Sequence, residues 1–304
     1  MSRLRVAAAQ LAVRDDRAAI VRDHLACIGE ARAAGVDLLL FPELSLTGYA
    51  GAVEAARSDT LPDTALLRQL ADAAGPMAFA VGLPEESGTG QVHNTQVVLR
   101  SGQGVHSHRK LYLPTYGSLE EGKHFTPGRV LQSFQLRDWC VAILTCADLW
   151  NPALPWLAAL DGVTLLLVPV ASAAGAVDGS FDTPAGWDVV LRHTSLLYGL
   201  PVAMANYANR PFWGGSRIMD AQGGVAAQAG SGPELLVADV DLAQVRVARR
   251  LLPTRRDSNP ELVSRELRRH LDEGIVSSVT QATQWVNEPG TSASLERGRR
   301  LWDG

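Results

Sequence analysis

Gly35-Val36-Asp37-Leu38-Leu39-Leu40-Phe41-Pro42-Glu43-Leu44-Ser45 decides the fold. Val36–Phe41 has strand length and an apolar character that suits a strand buried on both faces. Upstream, Leu4–Val13 reads as another strand. Between them Asp15 can cap a helix whose apolar side shows Ala18, Val21, Leu25 and Ile28, and Gly35 can end it. Downstream, similar buried runs recur at Met77–Leu83, Cys140–Thr145, Val163–Val170 and Pro201–Asn206, with helix candidates at Pro152–Leu160 and Thr183–Leu197. Short apolar runs alternating with amphipathic stretches are the mark of an α/β architecture. Two segments read as hairpins: Thr95–Leu99 with Gly104–His108 across Ser101-Gly102-Gln103, and Ser216–Asp220 with Val225–Gln228 across Ala221-Gln222-Gly223-Gly224. The sheets are therefore expected to be mixed.

The deciding stretch has an echo in Gly162-Val163-Thr164-Leu165-Leu166-Leu167-Val168-Pro169-Val170-Ala171-Ser172. It reads either as the shared vocabulary of buried strands or as two related halves stacked on one another. On the second reading both strand ends face one cleft, and only the first half keeps an acid after the proline. No Pro-, Gly- or Ser-rich linker divides residues 1–255, which are expected to form one domain. Residues 256–304 are expected to add a helix opened by Asn259-Pro260-Glu261, with Leu262, Val263, Leu267 and Leu271 on one stripe, and a polar tail from Ile275. That extension suggests a subunit interface.

Composition narrows the class. The chain has 304 residues, is 46% hydrophobic and 20% charged, and carries a formal net charge of −4, so a sizeable core is available. The mild negative charge offers no basic stripe for nucleic acid or an anionic membrane. No apolar run approaches the roughly 18 residues a membrane span needs, and the start lacks the pattern of a signal peptide. The 3 cysteines, Cys27, Cys140 and Cys146, argue against a disulfide framework and for a reducing compartment, with the cytoplasm as the expected address.

Three residues carry candidate chemistry. Cys146 ends the run Val141–Thr145 and enters a turn and then a helix. Clefts in α/β sheets open at strand carboxyl ends, and the amides of such a turn can face a thiolate or an oxyanion. Glu43 directly follows a buried strand, where partial desolvation favours a general base. Lys110, in Arg109-Lys110-Leu111-Tyr112-Leu113-Pro114, is a point charge suited to a carbonyl oxygen that gains negative charge. Taken singly, each has an ordinary alternative: a structural thiol, a loop acid, a surface lysine. The loop Thr115–Gly128 is long enough to suggest function.

Taken together and in order, these segments resemble the nitrilase-like carbon–nitrogen hydrolase superfamily. Phe41-Pro42-Glu43-Leu44-Ser45-Leu46-Thr47-Gly48-Tyr49 is similar to its first signature. Arg109–Pro114 with Phe125-Thr126-Pro127-Gly128 is similar to the second, and Leu144-Thr145-Cys146-Ala147-Asp148-Leu149-Trp150 to the third. Phe212–Asp220 resembles its late hairpin. The resemblance covers about residues 5–250 and implies a four-layer αββα sandwich, assembled through paired subunits as a homodimer or larger homo-oligomer. It also implies a catalytic Glu43/Lys110/Cys146 triad, with Glu121 as a second site glutamate. Leu113–Glu121 and Cys146–Trp150 look closest to the glutaminase domain of glutamine-dependent NAD synthetases. One departure is Ala147, where those relatives carry Glu and many others Tyr. Its backbone N–H would still serve an oxyanion hole, so the departure bears on specificity.

The expected activity is that of a thiol hydrolase. It would cleave a non-peptide carbon–nitrogen bond of a small-molecule amide and release ammonia through a Cys146 thioester. Hydrolysis of an N-carbamoyl compound or a nitrile is the alternative within enzymes, and a non-catalytic regulatory subunit the alternative outside them. No cofactor is expected, and no metal, since no His/Cys cluster has ligand spacing. No glycine-rich phosphate loop follows a strand. Tyr49, Tyr116, Trp150, Asn206 and Trp213 are the substrate-binding candidates, with a capping role as an equal alternative for Asn206 at its strand end, while His108 and His124 read as surface or structural.

Overall fold

The computed structural model describes residues 2–58, 64–88 and 90–273. The echo Leu-Leu-Leu triplets explain how the layers stack. In β2 (Leu38–Leu40), Leu38 and Leu40 point one way and Leu39 the other, as the two-residue period of a strand requires. Leu38 and Leu40 join an inner core with Val141, Ile143, Leu165 and Leu167 of the second sheet. Leu39 packs outward with Ile28, Ala31, Leu66 and Leu70 from helices. The second triplet repeats this, with Leu165 and Leu167 inward and Leu166 outward against Ala158, Trp187 and Leu191. Two sheets face each other and helices cover both outer surfaces, giving the expected αββα sandwich.

The first sheet contains β1 (Arg3–Ala12), β2, β3 (Ala78–Glu86), β4 (Val92–Arg100) and β5 (Gln103–Arg109) in that order. The second contains β6 (Ser133–Leu136), β7 (Trp139–Ile143), β8 (Leu165–Pro169) and β9 (Val202–Ala205). The chain then touches the first sheet through β10 (Tyr207–Ala208), extends the second with the hairpin β11 (Arg217–Met219) and β12 (Val225–Gln228), and returns as β13 (Glu234–Asp241) antiparallel to β1. β1, β2 and β3 are parallel, whereas β3, β4 and β5 run antiparallel, so the sheet is mixed as the hairpins imply. The echo segments form equivalent interior strands, each preceded by a left-handed glycine, Gly35 at φ 69° and Gly162 at φ 88°.

Helices α1 (Arg17–Ala33), α2 (Tyr49–Ser58) and α3 (Thr64–Ala74) follow the first-sheet strands, and α4 (Ala153–Leu160) and α5 (Thr183–Tyr198) the second. Two details of the α1 reading are corrected. Its cap is Asp16, whose carboxylate accepts from the amides of Ala18 and Ala19 at 3.2 and 2.9 Å. Its fully buried stripe is Ile20, His24, Ile28 and Ala31, with Val21 and Leu25 at the margin and Ala18 exposed. Both stripes share Ile28, and the buried face is centred about one residue, or about 100°, around the helix from the expected one. The sequence pattern did not give α2, α3, β6, β13 or α6 (Leu242–Leu251).

The chain divides into two compact units, residues 1–255 and 256–304. In the second, α7 (Pro260–Glu273) begins where Asn259 Oδ1 accepts from the Leu262 amide at 3.0 Å, and Leu262, Val263, Leu267 and Leu271 are exposed. The tail from Ile275 lies outside the described residues.

Gly82 on β3 shows how tightly the strand ends are held. A Cβ there would lie 2.3 Å from the Leu44 nitrogen, directly beneath the turn that carries Glu43. Gly82→Ala is expected to destabilise the protein by about 1–3 kcal/mol through overpacking, read as a lower urea midpoint at unchanged slope.

Candidate active site

Glu43, Lys110, Glu121 and Cys146 come from four separate chain segments and meet at the carboxyl ends of β2 and β7. Lys110 is wholly buried, and its Nζ donates to Glu43 Oε1 at 2.6 Å and to Glu121 Oε1 at 2.7 Å. Burial opposes its charge, yet the two carboxylates outweigh that cost and hold the ammonium well above the ordinary lysine value. Lys110 is set in place by the sheet edge: its amide donates to Asn94 O on β4 at 2.8 Å.

Glu43 has little freedom. Besides Lys110, its Oε1 accepts from Asn94 Nδ2 at 2.7 Å, and its Oε2 accepts from the Ala171 amide at 2.9 Å. Ala171 lies just past the carboxyl end of β8, so the two echo strands meet here, the acid of the first on an amide of the second. The Tyr207 hydroxyl donates to the Glu43 carbonyl at 3.0 Å. Asn94 and Tyr207 have no motif signal and were not read from the sequence.

Cys146 begins a short 3₁₀ segment, Cys146–Trp150, and has φ 47°, the left-handed region that a β-bearing residue occupies only where its surroundings hold it. Burial, then the charge of Glu43, raises its thiol well above the ordinary range, against the pull of Lys110. The Ala171 amide also faces its sulfur. At neutral pH the resting group is therefore the thiol.

Asp148 holds the Cys146 turn against the Lys110 loop. Fully buried, its Oδ1 accepts from the amides of Leu111 and Tyr112 at 2.9 and 2.8 Å. Its Oδ2 accepts from Thr145 N at 3.0 Å and His108 Nε2 at 2.9 Å. His108 therefore has the structural place expected of it, while His124 is half-buried.

The long loop after Lys110 closes on itself. The Gly128 amide donates to Lys110 O at 2.7 Å, and a Cβ on Gly128 would fall 2.3 Å from Arg109 O. The loop delivers Glu121 in a 3₁₀ turn, Glu121–Lys123, whose first amide donates to Pro114 O at 3.1 Å. Burial pushes the Glu121 carboxyl up to about 7 against the attraction of Lys110. Its Oε2 is buried without a hydrogen-bond partner.

A cavity of about 150 Å³ opens above these groups, lined by Glu121, Cys146, Ala147, Tyr116, Trp150, Phe181 and Trp187 among others. Tyr116 and Trp150 are among the lining residues, both partly exposed. Tyr49 packs beside the site on Leu44, Ala52 and Phe125, and burial and then Glu121 and Glu43 raise its hydroxyl. Asn206 and Trp213 do not line the cavity. Asn206 is wholly buried, its Oδ1 accepting from Ser172 N at 3.0 Å and its Nδ2 donating to Gly214 O at 3.0 Å and Ser172 O at 3.3 Å. Trp213 Nε1 donates to Ser172 Oγ at 3.2 Å, and Trp187 Nε1 does so at 3.0 Å. Both residues therefore brace Ser172 from behind. Phe181, Trp187 and Thr183 were missed because a helix start rich in aromatics reads as ordinary core. Among the described residues no His/Cys/Asp/Glu group could hold a metal ion, and no helix is long and apolar enough to cross a membrane.

Residues 5–250 match the family model described as carbon–nitrogen hydrolase. The chain is 26% identical over 280 residues to the omega-amidase of Danio rerio, across 87% of this chain and 98% of that protein. It is 30% identical over 237 residues to the glutamine-dependent NAD(+) synthetase of Thermotoga maritima, across 74% of this chain and 40% of the synthetase. Among solved structures, a mutant of the Nesterenkonia amidase from the nitrilase superfamily aligns with a TM-score of 0.74 at 25% identity, across 86% of this chain and 96% of that one.

Asp148→Ala leaves three amides and the His108 ring without their buried acceptor. The expected loss is about 3–5 kcal/mol of unfolding free energy by denaturant titration. A loss below about 1 kcal/mol would show that the two loops hold their positions without it.

Proposed function

The chain belongs to the carbon–nitrogen hydrolase family, and from that premise we propose that it hydrolyses a small amide through a thioester on Cys146. It is a hydrolase of carbon–nitrogen bonds other than peptide bonds. The observation that carries the finer reading is the buried Lys110 ammonium, held between Glu43 and Glu121 beneath a cavity that reaches Cys146.

In this reading Glu43 takes the Cys146 proton, since the thiol is uncharged at rest and needs a base. The sulfur attacks the amide carbonyl carbon and a C–S bond forms. Negative charge gathers on the carbonyl oxygen, where Lys110 Nζ and the Ala147 N–H receive it, each such donor contributing about 3–4 kcal/mol. Glu43 passes its proton to the nitrogen as the C–N bond breaks, and ammonia leaves. Water then attacks the thioester with Glu43 again as base, and the acid departs as the thiol is restored. Glu121 keeps Lys110 aimed. Asn94 and the Ala171 amide keep the Glu43 carboxylate in one orientation through proton gain and loss, so little reorganisation accompanies each transfer. A cytoplasmic address and paired subunits go with this reading, and sedimentation of the purified chain tests the second.

Steady-state ammonia release from aliphatic amides, glutamine, asparagine and N-carbamoyl amino acids is expected to show turnover of the uncharged aliphatic amides, with carbon dioxide release from the carbamoyl compounds as the contrary sign. Cys146→Ala should abolish turnover, and Glu43→Gln or Lys110→Met should lower kcat by about 10²–10⁴-fold. Retention of full activity in Cys146→Ala would remove the covalent step.

The wild-type rate should carry an acid limb with an apparent pKa of about 7. As the pH falls through that value Glu121 gains a proton and releases its charge-assisted hold on Lys110. Glu121→Gln, slower overall, should lack that limb. An unchanged limb in the variant would assign it to another group.

A further inference from the structure

The walls of the cavity say more about the substrate than its floor does. Trp150 stands edge-on to Phe181 with ring centroids 6.1 Å apart and to Trp187 at 5.4 Å. Leu119 and Val177 continue the apolar surface. Phe181 and Trp150 press directly on the backbone of α5: a Cβ at Gly186 would lie 2.9 Å from Phe181 Cζ and 2.9 Å from Trp150 Cη2. The wall is therefore preformed, because the helix has no side chain there to yield. Behind it, Trp187 is fixed to Ser172 through its Nε1.

Charge points the same way. Among the described lining residues the acid is Glu121, with Glu43 close behind it, and the Lys110 ammonium is already bonded to both. A carboxylate on a substrate would face aromatic rings and two acids, with the Thr183 hydroxyl as a neutral donor on the lining, and would give up its water with no cation in return. An apolar chain would instead exchange water for contact with three rings. A mostly apolar cavity of about 150 Å³ is also of the size that accommodates benzene.

We propose that the site selects neutral primary amides whose acyl group is apolar and at most about the size of a phenyl ring, and rejects amides that carry an anionic end. This rests on the amide-hydrolase reading above.

The test is a matched pair, 4-methylpentanamide and succinamate, in which an isopropyl group replaces a carboxylate of nearly the same shape. Wild type should favour 4-methylpentanamide in kcat/KM by at least about 100-fold. Val177→Arg, at a partly exposed position on the cavity lining, should narrow that gap at least tenfold by giving the carboxylate a partner. Cys146-dependent turnover of succinamate equal to or faster than that of 4-methylpentanamide overturns the specificity and leaves the hydrolase reading standing. If neither is turned over, calorimetry with Cys146→Ala separates the two ideas. Binding of 4-methylpentanamide over succinamate supports the specificity while the reaction fails, and equal or absent binding overturns the specificity as well.

Discussion

A lysine ammonium with no exposure to water is the constraint around which the site is built. Isolated in a protein interior, such a charge would shed its proton or unfold its surroundings. Here Glu43 and Glu121 each bring an oxygen within 2.7 Å of Lys110 Nζ. Removing either partner leaves a buried charge short of compensation, so the three side chains stand or fall as a unit. The cost of gathering them is borne by the layers around them, where two sheets and their helices bury the leucine triplets of β2 and β8.

The backbone does the rest of the positioning. Asn94 on β4 binds the Lys110 amide through its backbone carbonyl and Glu43 through its side-chain amide, so one sheet residue ties the carboxylate to the ammonium's segment. Asp148 performs the equivalent task for the thiol, joining the turn at Thr145 to the amides that follow Lys110. Cys146 keeps its left-handed conformation within that frame. Strain of this kind persists where neighbours over-determine it, and in the proposed mechanism a nucleophile that must face both a base and an oxyanion donor is a place where it has a use.

Much of this was legible in the sequence because its signals are local. The strand run before Pro42, the echo at Gly162–Ser172 and the glycine-containing hairpin links report burial and reversal within a few residues. The motifs around Glu43, Lys110 and Cys146 identified the family and its four-layer fold for the same reason. What was not legible depends on contacts between distant segments. Asn206 and Trp213 looked like pocket residues from their place near strand ends and motifs, yet both turn to Ser172. Phe181 and Trp187 gave no sign of lining a cavity, since that follows only from how α5 is laid across the strand ends. Asn94 is an unremarkable polar residue in a strand until β4 is paired with β3 and β5. The helix start misplaced at Asp15 shows the ordinary ambiguity of two adjacent aspartates, either of which can cap.

In the proposed mechanism the buried lysine and its two acids serve covalent chemistry at Cys146. Intact-protein mass spectrometry of enzyme quenched in acid during turnover of 4-methylpentanamide tests it most directly. The expected result is a mass increase equal to the acyl group, mapped by peptide digestion to Cys146, that forms much more slowly in Lys110→Met. Continuous turnover with unmodified Cys146, or an adduct that forms equally fast without Lys110, would contradict it.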